Sequence, residues 1–222
     1  MPELSGTQNY TVEFNDFTMT GNSDSENDSS TIYGPHLAEM RLILRDVVEE
    51  ITNVRAALKD EFGQDPVDHC LARIKSDESM REKLRRKGLA ETAENALFEI
   101  KDAIGVRIVC SFLNDVYTIR DRIEAHPDIV VTEEKDYIRH SKSNGYRSDH
   151  LIVRVRGKYF VEMQLRTISM DTWAALEHQM RYKKKRTDND ALIRAELKRC
   201  ADELASTDVS MQTIRDMIMM DL

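Results

Sequence analysis

The sequence predicts an α+β fold, a mixed β-sheet of four to five strands flanked by helices. Three observations carry this expectation. Apolar residues recur at three-to-four spacing near both ends of the chain, whereas the middle holds β-branched or strictly alternating segments. Short Gly or Asn-Gly links separate several of those segments, as hairpins require. No run repeats and no long heptad is visible.

Taken in order, residues 1–32 are rich in Ser, Asn, Asp, Thr and Gly and are expected to form a flexible acidic tail. The domain is expected to span 33–222. Its first helix runs from about His36 to Lys59, with Leu37, Met40, Leu42, Ile43, Val47, Val48, Ile51 and Val54 on its apolar side and Pro35 placed to start it. A second helix is expected over about Asp65 to Ile74. A third spans about Glu78 to Lys87, closed by Gly88. "IGVRIVCSF" has the composition of a buried strand. A helix over about Asn114 to Ala125 follows, then the strand "DIVVTEE", then "DHLIVRVR" and "YFVEMQLRT" as a hairpin about Gly157. Helices over about Met170 to Tyr182 and Asp188 to Met219 complete the chain. The last is amphipathic and long, and self-association through it is expected.

Of the 222 residues, 41% are hydrophobic and 32% charged, which fits a globular protein. No apolar run approaches the length of a bilayer span, and no basic segment followed by an apolar one marks a secretory signal. Cys70, Cys110 and Cys200 are odd in number and far apart, which points to a reducing cytoplasm and away from disulfides or zinc. The net charge of −8 is unevenly spread, because residues 1–30 carry six acids and no Lys or Arg. Arg73 to Lys87 holds seven basic residues against three acids, and Arg181 to Arg186 holds five basics in six positions. Anionic ligands are therefore compatible with an acidic protein.

Several side-chain groups carry chemistry. In "YFVEMQLRT", Glu162, Gln164 and Arg166 alternate with Val161, Met163 and Leu165, so an acid, an amide and a guanidinium share one strand face. Such a row is either an ordinary solvent face or a ligand-binding one. Asp102 precedes a second strand that bears Arg107. If Asp102 and Glu162 lie at one level on adjacent strands, their carboxylates can share a Mg2+, which takes one or two carboxylates and completes its shell with water and phosphates. Arg73, Lys75, Lys83, Arg86 and Lys87 suit polyphosphate, or a solvated face. Neither GxxxxGK[ST] nor GxGxxG occurs, so a nucleotide would be held by side chains. Trp173, Leu176 and Met180 make a helical stripe that is expected to be core. "SKSNGYRSDH" surrounds an Asn144-Gly145 turn with more functional groups than a turn needs: Lys142, Tyr146, Arg147 and His150.

Together "RIKSDESMREKLRRKG", "DAIGVRIVCSF", "DYIRHSKSNGYRSDH" and "VEMQLRTISMDTWAALEH" followed by "YK" resemble, in order and spacing, the synthetase domain of the RelA/SpoT family. The resemblance spans about residues 36–215 and is to a stand-alone small alarmone synthetase. It implies a nucleotidyltransferase-like fold and GTP pyrophosphokinase activity, with the 3′-hydroxyl of GDP or GTP attacking the β-phosphorus of ATP to give (p)ppGpp and AMP. It implies that Asp102 and Glu162 bind Mg2+ and are catalytic, with Glu162 positioning or deprotonating the hydroxyl. Arg73 and Arg107 would sandwich adenine, and Lys75, Ser79, Lys83, Arg86 and Lys87 would contact ATP phosphates. Tyr146 would stack on guanine, with Lys142, His150, Gln164 and Asp171 lining the acceptor pocket. The resemblance further implies a homotetramer. Asp149 stands where many members carry Leu or Tyr, so it is expected to influence the acceptor, and adenine nucleotides or a tRNA 3′ end stay open as alternatives. A catalytically silent nucleotide- or RNA-binding module is the remaining alternative. The 181–186 run is either solvated or a site for an allosteric alarmone or RNA.

Overall fold

The computed structural model describes residues 11–13, 31–181 and 189–220. Six strands form one mixed sheet in the order β1-β2-β3-β6-β5-β4: β1 Thr11–Glu13, β2 Val67–Ile74, β3 Ile104–Cys110, β4 Ile129–Asp136, β5 Asp149–Val155 and β6 Tyr159–Thr167. Only β3 and β6 run parallel; every other pair is antiparallel. Among the described residues five α-helices and a π-helix, Asn95–Glu99, accompany them: α1 His36–Phe62, α2 Asp77–Lys87, α3 Leu113–Glu124, α4 Ile168–Arg181 and α5 Asp190–Met220.

The sheet has two unlike faces because side chains alternate along each strand. Cys70, Ala72 and Ile74 of β2, Ile104, Val106 and Ile108 of β3, Val161, Met163 and Leu165 of β6, and Leu151, Val153 and Val155 of β5 are all buried in one core. Helix α1 adds Met40, Ile43, Leu44, Val47, Val48, Ile51 and Leu58 to it, and α3 adds Val116, Ile119 and Ile123. The opposite face carries polar residues and is where chemistry can occur. A smaller apolar cluster joins α4 to α5, where Trp173 packs with Leu197 and Ala201 and its indole N–H donates to the Leu197 carbonyl at 2.9 Å. Leu176 and Met180, expected beside Trp173 in a core stripe, are instead exposed.

Two local expectations change. The 65–74 segment is strand β2, not a helix. Val67, Cys70, Leu71 and Ile74 do satisfy a helical spacing, but pairing of β2 with β3 from Val67↔Cys110 to Ile74↔Ile104 satisfies its backbone and buries the alternating set. Within the expected tail, residues 11–13 pair with β2 as an edge strand, Thr11 opposite Arg73. Ile32 and Tyr33, at the junction of tail and domain, are buried. The Tyr33 hydroxyl donates to the Lys75 carbonyl at 2.7 Å, and the Ile32 amide donates to Asp77 at 2.5 Å.

Asp149 is placed unlike its sequence neighbour His150. It lies on β5 beside His150 but faces the other side of the sheet, fully buried and with no hydrogen-bond partner for either carboxylate oxygen. Burial, reinforced by Asp136 and Glu134 and only partly offset by Arg120, pushes its carboxyl up to about 6. It therefore does not share the face of His150. Its folded-state value lies above the ordinary 3.8, so the folded protein binds the proton more tightly than the unfolded chain. The ionised group opposes folding at neutral pH, and that cost shrinks as pH falls through 6 towards 3.8. Asp149→Asn should thus melt higher than the parent at pH 8, by roughly 2–6 °C for a gain of 1–2 kcal/mol. The advantage should fall to about half by pH 5. Thermal melts of both proteins at the two pH values check this; an Asn variant less stable at pH 8 contradicts it.

Candidate active site

The polar face of the sheet is built by register. Glu162 of β6 lies opposite Gly105 of β3, which in turn lies opposite Arg73 of β2. One step along, Gln164 is flanked by Arg107 on β3 and His150 on β5. Gly105 leaves the space above it open, as a Cβ there would meet nothing within 4 Å. Arg73 and Arg107 are diagonal neighbours. The Arg107 guanidinium is lowered from its usual range by burial first and by the charges of Arg166 and Arg73, with Asp171 opposing.

Asp102, two residues before β3, meets two ammonium groups: its Oδ2 accepts from Lys83 Nζ at 2.5 Å and lies 3.2 Å from Lys75 Nζ. Its Oδ1 is buried with no partner. Lys75 comes from the end of β2, and Lys83 from α2, whose first turn is capped by Ser76 accepting from the Ser79 amide. Ser79, Arg86 and Lys87 are exposed on α2, on the side from which Lys83 reaches Asp102. The Lys83 charge also reaches Glu162 and helps to hold that carboxyl low.

Glu162 sits at the end of a connected network. Its Oε2 accepts from Gln164 Nε2 at 2.8 Å, and its Oε1 faces His150 Nδ1 at 3.6 Å. Burial alone would raise it, but His150, Gln164 and Lys83 outweigh burial and bring it to about 2. Arg166, only 4% exposed, donates to Gln164 Oε1 at 2.7 Å, to the Tyr146 hydroxyl at 2.5 Å and to Asp171 at 3.2 Å. The Tyr146 hydroxyl also lies 2.8 Å from His150 Nε2, and the other ring nitrogen, Nδ1, faces Glu162. Asp171, at the start of α4, also pairs with Arg107 at 3.3 Å and with His69 at 3.9 Å. Glu162 is thus held well below the usual carboxylate range, which suits it to hold a cation or accept a hydroxyl hydrogen bond.

The loop with Tyr146 is fixed from behind by α5. Gly145 has φ +92°, and a Cβ on it would meet Ala201 Cβ at 2.7 Å and the Lys198 backbone at 3.1 Å, so only glycine fits. Arg147 donates to the Ile138 carbonyl and to Asp202, each at 3.0 Å. Lys142 reaches back over the Tyr146 ring, its Nζ 4.7 Å from the centroid.

Of the residues expected to bind nucleotide or metal, Arg73, Arg107, Glu162, Gln164 and His150 share one face of the sheet by register, while Ser79, Arg86 and Lys87 are exposed on α2. Asp102 with Lys75 and Lys83, and Glu162 with His150, Gln164 and Tyr146, are brought into contact or near contact. Arg166 and His69 were not among the expected site residues. Arg166 shares the period-two row of Glu162 and Gln164, a signal present in the sequence. His69 shares a face with Arg73, which is invisible when the segment is taken as helix. The basic run 181–186 lies, but for the backbone of Arg181, outside the described residues.

A metal ion fits the donor set. The described residues contain no cluster of three or more His, Cys, Asp or Glu. Asp102 lies three residues before Gly105, the register partner of Glu162, so the two carboxylates are not level as expected. The unpartnered Asp102 Oδ1 and the Glu162 carboxylate are the acidic groups available to a cation shared with phosphates.

Fold and site together define a nucleotidyltransferase-like protein. The model of the region found in RelA/SpoT proteins matches residues 72–187. GTP pyrophosphokinase YwaC of Bacillus subtilis is 37% identical over 169 residues, covering 67% of this chain and 80% of that protein. Small alarmone synthetase 1 of B. subtilis, solved with its product pppGpp, superposes with a TM-score of 0.71 at 28% identity, over 82% of this chain and 95% of that one. Small alarmone synthetase 2 of the same organism gives 0.66 at 34% identity, over 81% and 97%. The chain belongs to the RelA/SpoT family.

Proposed function

We propose that this chain is a GTP pyrophosphokinase that transfers pyrophosphate from ATP to the 3′-hydroxyl of GDP or GTP, releasing AMP and forming (p)ppGpp in a stringent response. The observation that carries this reading is the convergence of an Asp102–Lys75–Lys83 cluster and the Glu162–His150–Tyr146 network on one polar sheet face. Relatives named GTP pyrophosphokinase, and a small alarmone synthetase solved with pppGpp, support the same activity.

Arg73 and Arg107 would stack on adenine, since a guanidinium plane keeps its charge while covering a ring. Lys75, Ser79, Lys83, Arg86 and Lys87 would meet the ATP phosphates. Tyr146 would stack on the acceptor base, with Lys142, His150, Gln164 and Asp171 around it. Asp102 and Glu162 would hold Mg2+. Bound there, the ion would neutralise charge on the transferred group. Glu162, held near 2, is a weak proton acceptor and a strong hydrogen-bond acceptor, so its part is to orient the 3′-hydroxyl more than to deprotonate it. The new bond joins O3′ to the β-phosphorus, and the bridging oxygen leaves with AMP.

Purified protein given labelled ATP, Mg2+ and GDP or GTP should release AMP and form a tetra- or pentaphosphate, resolved by ion exchange. Absence of transfer to both would refute the reading, and transfer only to ADP or to a tRNA end would reassign the acceptor. Binding of nucleotides without AMP release would mark a silent module.

The division into an acidic tail and a synthetase domain with associating helices belongs to the same proposal. Helix α5 leaves Val209, Ile214, Met217 and Ile218 exposed, which supports self-association, as a homotetramer by family resemblance. No helix among the described residues is long and apolar enough to cross a membrane. Free Cys70, Cys110 and Cys200 suit a cytoplasmic protein.

A further inference from the structure

We propose that Lys142 stoppers the acceptor-base slot in the free protein, that Tyr137 is the second wall of that slot, and that the pair selects 5′-phosphorylated acceptors over bare nucleosides. The proposal rests on Tyr146 being the residue that stacks on the acceptor base.

The Lys142 ammonium lies 4.3 Å from the Tyr137 ring centroid and 4.7 Å from that of Tyr146. The two rings stand 6.3 Å apart at 69°, so the cation rests in the notch between them. A closed turn puts it there: the Gly145 amide donates to the Lys142 carbonyl at 2.8 Å, and the Lys142 amide donates to the Tyr146 carbonyl at 3.1 Å.

The walls cannot easily move. Arg166 and His150 fix the Tyr146 hydroxyl. The Tyr137 amide donates to the Ser148 carbonyl at 3.0 Å, and its ring meets the His150 edge at 5.4 Å. Lys142 is exposed, and its only recorded cation contacts among the described residues are the two ring faces. It is therefore the mobile part.

A purine that stacks on Tyr146 must displace the ammonium and forfeit its attraction to both rings. A nucleoside di- or triphosphate brings the displaced cation a new partner, because an ammonium on a flexible stem follows phosphate as a point charge. Guanosine brings none. Base entry and phosphate capture are thus coupled through one side chain, at the cost of affinity for any acceptor without phosphates.

Binding of guanosine and of GDP, each alone, to the full chain, to Lys142→Ala and to Lys142→Arg tests this by equilibrium dialysis. Relative to the parent, Lys142→Ala should bind guanosine about three- to fivefold tighter, the worth of an exposed cation–ring contact. It should bind GDP about tenfold or more weaker, as loss of a charged phosphate contact predicts. Lys142→Arg, which keeps a cation for both rings, should bind guanosine no tighter than the parent. Guanosine binding by Lys142→Ala that is unchanged or weaker overturns the proposal. Lack of GDP binding by the parent would instead remove the acceptor reading on which it rests. Lys142 lies exposed in a turn, so melting curves should coincide, and a matched melt keeps a guanosine result interpretable.

Discussion

Glu162→Gln should reduce pyrophosphate transfer by about 10³-fold while leaving the melting temperature within a few degrees of the parent. The substitution keeps the shape of the side chain and removes its charge. In the parent that carboxylate is held near 2 against a burial that would raise it, so at any working pH it is ionised. Gln164 Nε2 donates to it, and His150 Nδ1 faces it. An amide in its place can offer its oxygen to only one of these donors and must turn an NH2 group towards the other. It also loses the charge with which Glu162 would attract a cation and orient an attacking hydroxyl. Initial rates with ATP and acceptor both saturating, beside a thermal melt, make the measurement. A rate within tenfold of the parent, with the fold intact, would falsify the role given to Glu162.

Asp102→Asn should also lower the rate, by about 10²- to 10³-fold, with a different signature in binding. Asp102 holds two partly buried ammoniums on one oxygen and presents its other oxygen to nothing. Neutralising it removes half of the candidate metal set. It also frees Lys75 and Lys83 for an anion that a carboxylate would otherwise repel. Metal-free ATP should therefore bind the variant at least as tightly as it binds the parent, while Mg2+ no longer stimulates transfer. Calorimetric titration with ATP in chelator, and rates across a Mg2+ series, separate the two effects. Metal-free ATP binding weakened more than about tenfold would show Asp102 to be structural support for the lysines instead.

Much of this architecture was legible because period and punctuation agreed. Gly88 closes α2 in the left-handed conformation expected of it, and the alternation in "YFVEMQLRT" gives both faces of β6. β2 was not legible. Its apolar residues satisfy two periods at once, and only the partner strand β3 decides between them. The burial of Asp149 was hidden for a related reason. Adjacency to His150 in sequence places it on the opposite face once β5 forms, so the neighbour of a site residue became a core residue. The short pairing of residues 11–13 with β2 has no local signal, being a matter of what lies beside an available edge. In the site, Asp102, Lys75 and Lys83 were singled out by residue type, but their pairing with one another was not expected. The hub role of Arg166 was not legible either, because it depends on Tyr146, Gln164 and Asp171 arriving from three elements.

The parallel pairing of β3 with β6 has a consequence for how this protein becomes competent. Asp102 precedes β3 and Glu162 lies within β6, strands that are next to each other in the sheet but separated in the chain by α3, β4 and β5. Parallel neighbours cannot be closed by a hairpin, and such non-local pairing is slow because loop-closure entropy is lost before contacts reward it. During synthesis the basic segment from Arg73 to Lys87 emerges well before Glu162 does. A partly made chain therefore holds the basic segment and Asp102, but lacks Glu162 until β6 inserts between β3 and β5. Glu162 thus joins Asp102 in the sheet only with that last central strand, and Asp171 of α4 and the α5 residues that back the Tyr146 loop follow it in the chain.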